Sequence, residues 1–169
     1  SRIGNNCIIH PDTVIGRYSW IKDACMIGSH GLSFHRSASG KLARFPHLGA
    51  TIIEDYVELG TGSCVVRGML SNTEIRARTK IGNLVNIGHG CIINEDCWIS
   101  GSASIGGHAE LGKGVSLAMS VTVANSVTVG AGSRVGIGSV VTKTVPADSK
   151  LFGCPAQPLR TLKPFGPTP

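Results

Sequence analysis

The segment NLVNIGHGCIINEDCWIS carries one imidazole, His89, two residues after the aliphatic Ile87. An imidazole in this setting takes a proton from an attacking amine or hydroxyl. Eighteen residues further on stands Gly106-Gly107-His108. A bare glycine pair leaves backbone N–H groups unshielded, and such a donor stabilises the oxyanion of a tetrahedral intermediate. Base and donor together are the minimal set for acyl transfer, provided the fold brings positions 18 apart into contact. His89 is then the candidate general base and Gly107 the candidate oxyanion donor. His108 stands beside that donor as a candidate pocket residue. Asn86 and Asn83 precede His89 and offer hydrogen bonds to an acceptor, although Asn is also ordinary turn chemistry.

The chain does supply a period that joins those positions. Ile75, Ile81, Ile87, Ile93, Ile99, Ile105, Leu111, Leu117, Val123, Val129, Val135 and Val141 are spaced six apart, as are Ile3, Ile9, Ile15, Ile21 and Ile27. A six-residue period belongs to neither a helix nor a flat strand. It predicts an all-β solenoid of short parallel strands. Four residues after each aliphatic sits a small or β-branched side chain, such as Cys7, Thr13, Cys25, Thr79, Val85, Cys91, Cys97 or Ala103. Both classes are expected to point inward. The residue after the aliphatic is usually Gly, expected to take the corner because positive φ is easy there. Three such faces make a turn of 18 residues, so residue n stacks on n+18, and Gly107 on His89.

The frame breaks twice. Gly28–Thr51 lacks the ladder and is rich in polar and basic residues, which predicts a loop thrown out from a corner. Arg67–Thr73 is a four-residue insertion that restores the frame. Interruptions of a rigid scaffold are where function concentrates. We therefore expect a β-helix domain over 1–146 and a proline-rich tail over 147–169 that caps its open end.

The net charge of +6 favours anionic partners: phosphates, coenzyme A or an acidic carrier protein. No run of Lys and Arg occurs and aromatics are only 5%, which argues against nucleic acid. No 18-residue apolar run and no signal peptide occur, so the expectation is a cytoplasmic protein without membrane insertion. The cysteines follow the repeat, Cys7 and Cys25 being 18 apart, and are expected as buried thiols. His30, His35 and His47 lie in the large inserted loop, and His10 at a corner remote from His89.

The hexad pattern resembles the hexapeptide-repeat acyltransferases. That resemblance implies a left-handed parallel β-helix, a homotrimer and active sites between subunits. GSHGLSF, FPHLG, VELGTGSCVVRGML and NLVNIGHGC are closest to the UDP-3-O-acylglucosamine N-acyltransferases of lipopolysaccharide assembly. The resemblance implies His89 as base and Gly107 as oxyanion donor. It also implies that the inserted loop, with His30 and His35, overhangs the site. The ending VVTKTVP…LFGCPAQPLR resembles that of acetyl-CoA-dependent members. By that likeness Lys143, Arg134, Arg160, Lys163 and Ala118 form the donor-binding set. The donor is acetyl-CoA or another acyl-CoA, or an acyl carrier protein, and no metal is expected.

Four departures bear on the acceptor. The acidic pair that follows Arg-Gly-x-Leu in that family is here Ser71-Asn72, and a second active-site His falls at Asn125. The residue after the base, acidic in sugar N-acetyltransferases of the sialic-acid type, is Gly90. The family's N-terminal uracil-binding domain has no counterpart in this sequence. These differences point to an amino sugar or nucleotide-linked amino sugar other than the lipid A precursor, with O-acylation of a sugar hydroxyl as the alternative. A γ-class carbonic anhydrase needs three His ligands, yet five residues after His89 stands Asn94, and the His30–His35 pair lies in the irregular loop. A non-catalytic solenoid would have no use for a base, a bare glycine pair and a basic tail around one coil.

Overall fold

The computed structural model describes residues 1–158. The chain winds as a β-helix of three parallel faces, with strands of two to four residues in the coils. One face carries Arg2–Ile3, Trp20–Ile21, Glu58–Leu59, Lys80–Ile81, Trp98–Ile99, Ser116–Leu117, Arg134–Val135 and Lys150–Phe152. The second runs from Ile8–Ile9 through Asn86–Ile87 and Ser104–Ile105 to Val140–Val141, and the third from Thr13–Ile15 through Ile92–Ile93 to Thr128–Val129. The register follows the 18-residue repeat: Ile87 pairs with Ile105, Ile105 with Val123, and Val123 with Val141.

The ladder fills the axis. From Ile21 to Leu151 the rungs lie at 5% exposure or less, joined by Cys25, Val85, Cys91, Cys97, Ala103 and Ala109. Each buried aliphatic contributes about 1.5–3 kcal/mol relative to an exposed one. The inward small positions also bridge coils when they are hydroxyls. Thr79 Oγ1 donates to Asn94 O at 2.9 Å and accepts from Cys97 N–H at 3.2 Å.

The corners differ from expectation. Positive φ falls on the third residue after the aliphatic, at Asn6, Tyr18, Tyr56, Leu84, Asp96, His108 and Ser126 among others, and, Gly28 at the start of the large insertion apart, not on the glycine that follows the aliphatic. Those glycines answer a packing constraint instead. A Cβ on Gly88 would lie 2.6 Å from Gly107 N and 2.9 Å from Ile105 O in the next coil. Adjacent coils pass too closely there for any side chain.

Both insertions leave from corners and meet each other. The larger holds a two-stranded antiparallel hairpin, Phe34–Arg36 with Leu42–Arg44. The smaller makes the coil 22 residues long, Ile53 pairing with Ile75. Leu48 N–H donates to Met69 O at 2.7 Å, and Ala50 N–H to Asn72 Oδ1 at 3.0 Å. Buried Arg67 ties both down, donating from Nε to Gly49 O and from Nη2 to Asp12 Oδ2, each at 2.8 Å. The segment beyond Pro146 first adds the strand Lys150–Phe152 to the first face, then folds back antiparallel through Gln157–Pro158.

Candidate active site

His89 stands on the corner that follows Asn86–Ile87 and precedes Ile92–Ile93. Two hydrogen bonds fix the corner around it: His89 O accepts from His108 N–H at 2.8 Å, and Thr73 Oγ1 accepts from Gly90 N–H at 2.8 Å. The repeat puts Gly107, Asn125 and Lys143 on the same corner of the three coils above. Gly107 meets the ring itself, for a Cβ there would lie 2.6 Å from both Nε2 and Cε1 of His89. The Nε2 edge of the imidazole is therefore turned to the Gly107 backbone. Gly107 N–H donates to no backbone carbonyl among the described residues. At equivalent places Asn5 N–H and Arg17 N–H are taken by the Asp23 and Asp55 carboxylates of the next coil, at 2.7 Å each. Above Gly107 the residue in that place is Asn125.

The inserted loop completes the site. It returns over His89 and adds two rings to it, so that four imidazoles stand in a row. His30 and His47 lie 5.7 Å apart, His47 and His89 5.6 Å, and His89 and His108 4.8 Å, all close to edge-to-face. Gly31 sits against this row, its absent Cβ 3.0 Å from His47 Nε2 and 3.6 Å from His89 Cδ2. His47 is 2% exposed, which a loop histidine read from sequence alone gives no reason to expect. Its Nε2 lies 3.2 Å from Ser33 Oγ, which in turn donates to Met69 Sδ at 3.3 Å. The rings meet edge to face in sequence, and no group of three metal-ligating side chains gathers among the described residues.

Burial holds the His89 imidazole below the ordinary histidine value, with neighbouring His108 adding in the same direction. His47 is lowered as well, by burial first and then by His89, His30, Arg44 and Arg67. A neutral ring is the state a general base must start from. The Nδ1 atoms of both His89 and His47 are buried without a hydrogen-bond partner among the described residues.

The remaining candidates fall into three places. Asn86 is exposed on the second face beside the His89 corner, and His108 is exposed next to Gly107. His30 borders an open cavity of about 570 Å3 with Gly31, Leu32 and Arg44. Arg44 escaped the sequence reading. Its guanidinium lies 4.9 Å over the Phe34 ring and donates to Gly31 O at 3.4 Å. His35 is exposed on the hairpin strand Phe34–Arg36 and takes no part in the histidine row. Lys143 lines a cavity of about 710 Å3 at the C-terminal end of the helix, with Thr142, Asp148 and Lys150. Arg134 stacks beside Lys150 on the first face, and Ala118 follows Leu117 on a different corner from His89. Arg160 and Lys163 lie outside the described residues.

No protein-family profile matches the chain. It is 34% identical over 92 residues to UDP-3-O-acylglucosamine N-acyltransferase 1 of Francisella tularensis, covering 50% of this chain and 26% of that protein. It is 37% identical over 86 residues to the UDP-3-O-acylglucosamine N-acyltransferase of Wolinella succinogenes, covering 47% and 27%. The chain thus spans about a quarter of the length of these curated relatives. Among solved structures, UDP-N-acetylglucosamine O-acyltransferase of Moraxella catarrhalis superposes with a TM-score of 0.76 at 21% identity, over 92% of this chain and 66% of that one. UDP-N-acetylglucosamine acyltransferase of Francisella novicida gives 0.66 at 18% identity, over 96% and 63%. Over about half its length the chain is similar in sequence to the UDP-3-O-acylglucosamine N-acyltransferases, and its fold matches the left-handed β-helix of the two superposed acyltransferase structures.

Proposed function

We propose that the chain is an acyltransferase that carries an acyl group from a thioester to the nitrogen of an amino sugar, with His89 as general base. The observation that carries this is the contact between the Nε2 edge of His89 and the side-chain-free backbone of Gly107, where a Cβ would lie 2.6 Å from the ring. A thioester carbonyl seated there meets the base on one side and a backbone N–H on the other. The amine nitrogen attacks the carbonyl carbon while Nε2 takes its proton, and Gly107 N–H receives the developing oxyanion. Collapse breaks the C–S bond, and the imidazolium returns the proton to the leaving thiolate.

The names of the curated relatives support a nucleotide-linked amino sugar as the class of acceptor. Lys143 and Arg134 are cations at the end of the helix where a donor's phosphates would be met, and Arg160 and Lys163 belong to the same proposed set. Lys143 lies three coils above His89, about 14 Å along the axis at the usual strand spacing. The donor is read as acetyl-CoA or another acyl-CoA, with an acyl carrier protein as the other carrier of the same thioester. The second face carries Met26, Cys64, Asn86, Ser104, Thr122 and Val140 outward, with no charge. That face borders the His89 corner and suits packing of a second copy, in keeping with a homotrimer whose sites lie between subunits. Six unpaired thiols suit a reducing, cytoplasmic setting.

The test is thiol release from acetyl-CoA, longer acyl-CoAs and acyl carrier protein, with a panel of free and nucleotide-linked amino sugars. We expect release with at least one pair, lost by a factor of roughly 100–10,000 in His89→Ala. Full activity in that variant would overturn the assignment of the base. Product that carries an ester in place of an amide would move the reading to O-acylation.

A further inference from the structure

We infer that His47 is the positioning residue of His89, its Nδ1 lone pair accepting the hydrogen bond of His89 Nδ1–H in the place where other bases are oriented by a carboxylate. The inference rests on the reading of His89 as the base. A base that works through Nε2 toward Gly107 must carry its own proton on Nδ1, so His89 Nδ1–H is a buried donor in want of an acceptor. No carboxylate provides one among the described residues.

The acceptor follows from the bonding of His47. A thioether sulfur accepts and never donates, so the Ser33 hydroxyl hydrogen directed at Met69 Sδ is committed there, at 3.3 Å. What Ser33 Oγ has left for His47 Nε2, 3.2 Å away, is a lone pair. His47 therefore carries its proton on Nε2, and its Nδ1 is a bare lone pair, buried and without a partner. One unmet buried donor and one unmet buried acceptor thus sit on adjacent rings, 5.6 Å between centroids and 74° between planes. Either alone is costly to bury. In the inferred arrangement the His89 ring alone turns about its soft χ2 to offer Nδ1–H to His47, while His47 Nε2 keeps its contact with Ser33 Oγ. His47 is on the large inserted loop, whereas Met69 is on the smaller insertion. Seating both insertions is then what completes the base, and a loop that leaves its place leaves His89 without its orienting partner.

The measurement is the imidazole nitrogen spectrum of the uniformly 15N-labelled full chain, without substrate, at a pH where His89 is neutral. His89 is expected as the Nδ1–H tautomer and His47 as the Nε2–H tautomer. In His47→Ala the His89 ring should become a mixture of tautomers. Its kcat should fall roughly 10–100-fold with KM within about twofold, the order seen when a group that orients a reactive one is removed. His47→Gln, whose Oε1 is an acceptor of similar reach, should recover most of both signals. Circular dichroism reports whether His47→Ala folds; if it does not, the native spectrum and His47→Gln decide. An Nε2–H tautomer for His89 in the native chain, or a His89 tautomer unchanged in both variants, overturns the inference. The spectra are read without turnover, so they stand apart from the activity of His89→Ala, which tests the function itself.

Discussion

Gly107, in the coil above, faces the reactive edge of His89 with backbone alone. Its absent Cβ would lie 2.6 Å from Nε2 and from Cε1. What it would strike is a ring able to swing aside, not backbone, so Gly107→Ala should fold. The displaced imidazole and the crowded N–H should lower kcat by about 100–1,000-fold, the range for loss of one oxyanion donor. A thermal melt within a few degrees of the parent, alongside that loss, separates a site defect from a fold defect. Near-native kcat would remove Gly107 from the site.

The protonation of the histidine row gives a pH signature. His89 is held below 6.5 by burial and by His108, and His47 by burial and by His89, His30, Arg44 and Arg67. The unfolded chain thus binds more protons than the folded one between the lowered folded values and 6.5, and stability rises with pH across that window. Full stability is expected above about pH 6.5, with loss as pH falls toward the folded values and a level contribution below them. The acid limb of kcat/KM should likewise fall below pH 6.5, and His108→Asn should move it upward by removing the like-charged neighbour. Denaturant melts between pH 5 and 8, with a kcat/KM profile over the same range, check both. A limb above 6.5 contradicts a desolvated base.

The ladder made the fold legible because each hexad repeats one physical problem, burial of an aliphatic beside a tight corner. It also put His89 beneath Gly107, since a period of 18 is a ruler. It misled on why glycine follows the aliphatic. Sequence shows a small residue, but not whether backbone angle or the approach of the next coil demands it. At Gly88 it is the approach of the next coil. His47 was legible only as a loop histidine. Its burial depends on how the large insertion docks against Met69 and Arg67, contacts with no period to report them. Arg44 was missed for the same reason, since its place is set by Phe34 and Gly31 within the loop.

The thiols divide by depth. Cys91 is pushed up to about 12 and Cys97 to about 11, both by burial against the axis. At pH 8 almost no thiolate exists at either, and the thiolate is the reactive form. Cys154 is exposed near the C-terminal fold-back. Brief iodoacetamide treatment of the native protein followed by peptide mass mapping should label Cys154 and leave Cys91 and Cys97 untouched until denaturant is added. Rapid native labelling of Cys91 would mean that the coil at the His89 corner opens readily.

Arg67 tests whether the site depends on the docked loop. It is 8% exposed and holds two oxygens, but the two bonds differ in worth. The Asp12 side chain is 67% exposed, so that ion pair is screened by water and contributes at most about 1 kcal/mol. The bond to Gly49 O is inside, and losing it strands a buried carbonyl at about 1–3 kcal/mol. Arg67→Met keeps most of the stem's packing and removes both bonds. It should therefore cost about 2 kcal/mol in local stability, with most of the loss confined to residues 28–51 and 67–73. Asp12→Asn should cost well under half as much. Amide hydrogen exchange resolved by peptide reads this directly: faster exchange in both insertions, and unchanged protection in the coils from Ile93 to Val141. Because His47 comes in on that loop, activity should fall with the exchange, and Arg67→Lys should not restore it, since an ammonium cannot serve Gly49 O and Asp12 with the fixed fork of a guanidinium. Uniformly faster exchange along the whole helix would show Arg67 to be a general stabiliser and not the tether of the loop.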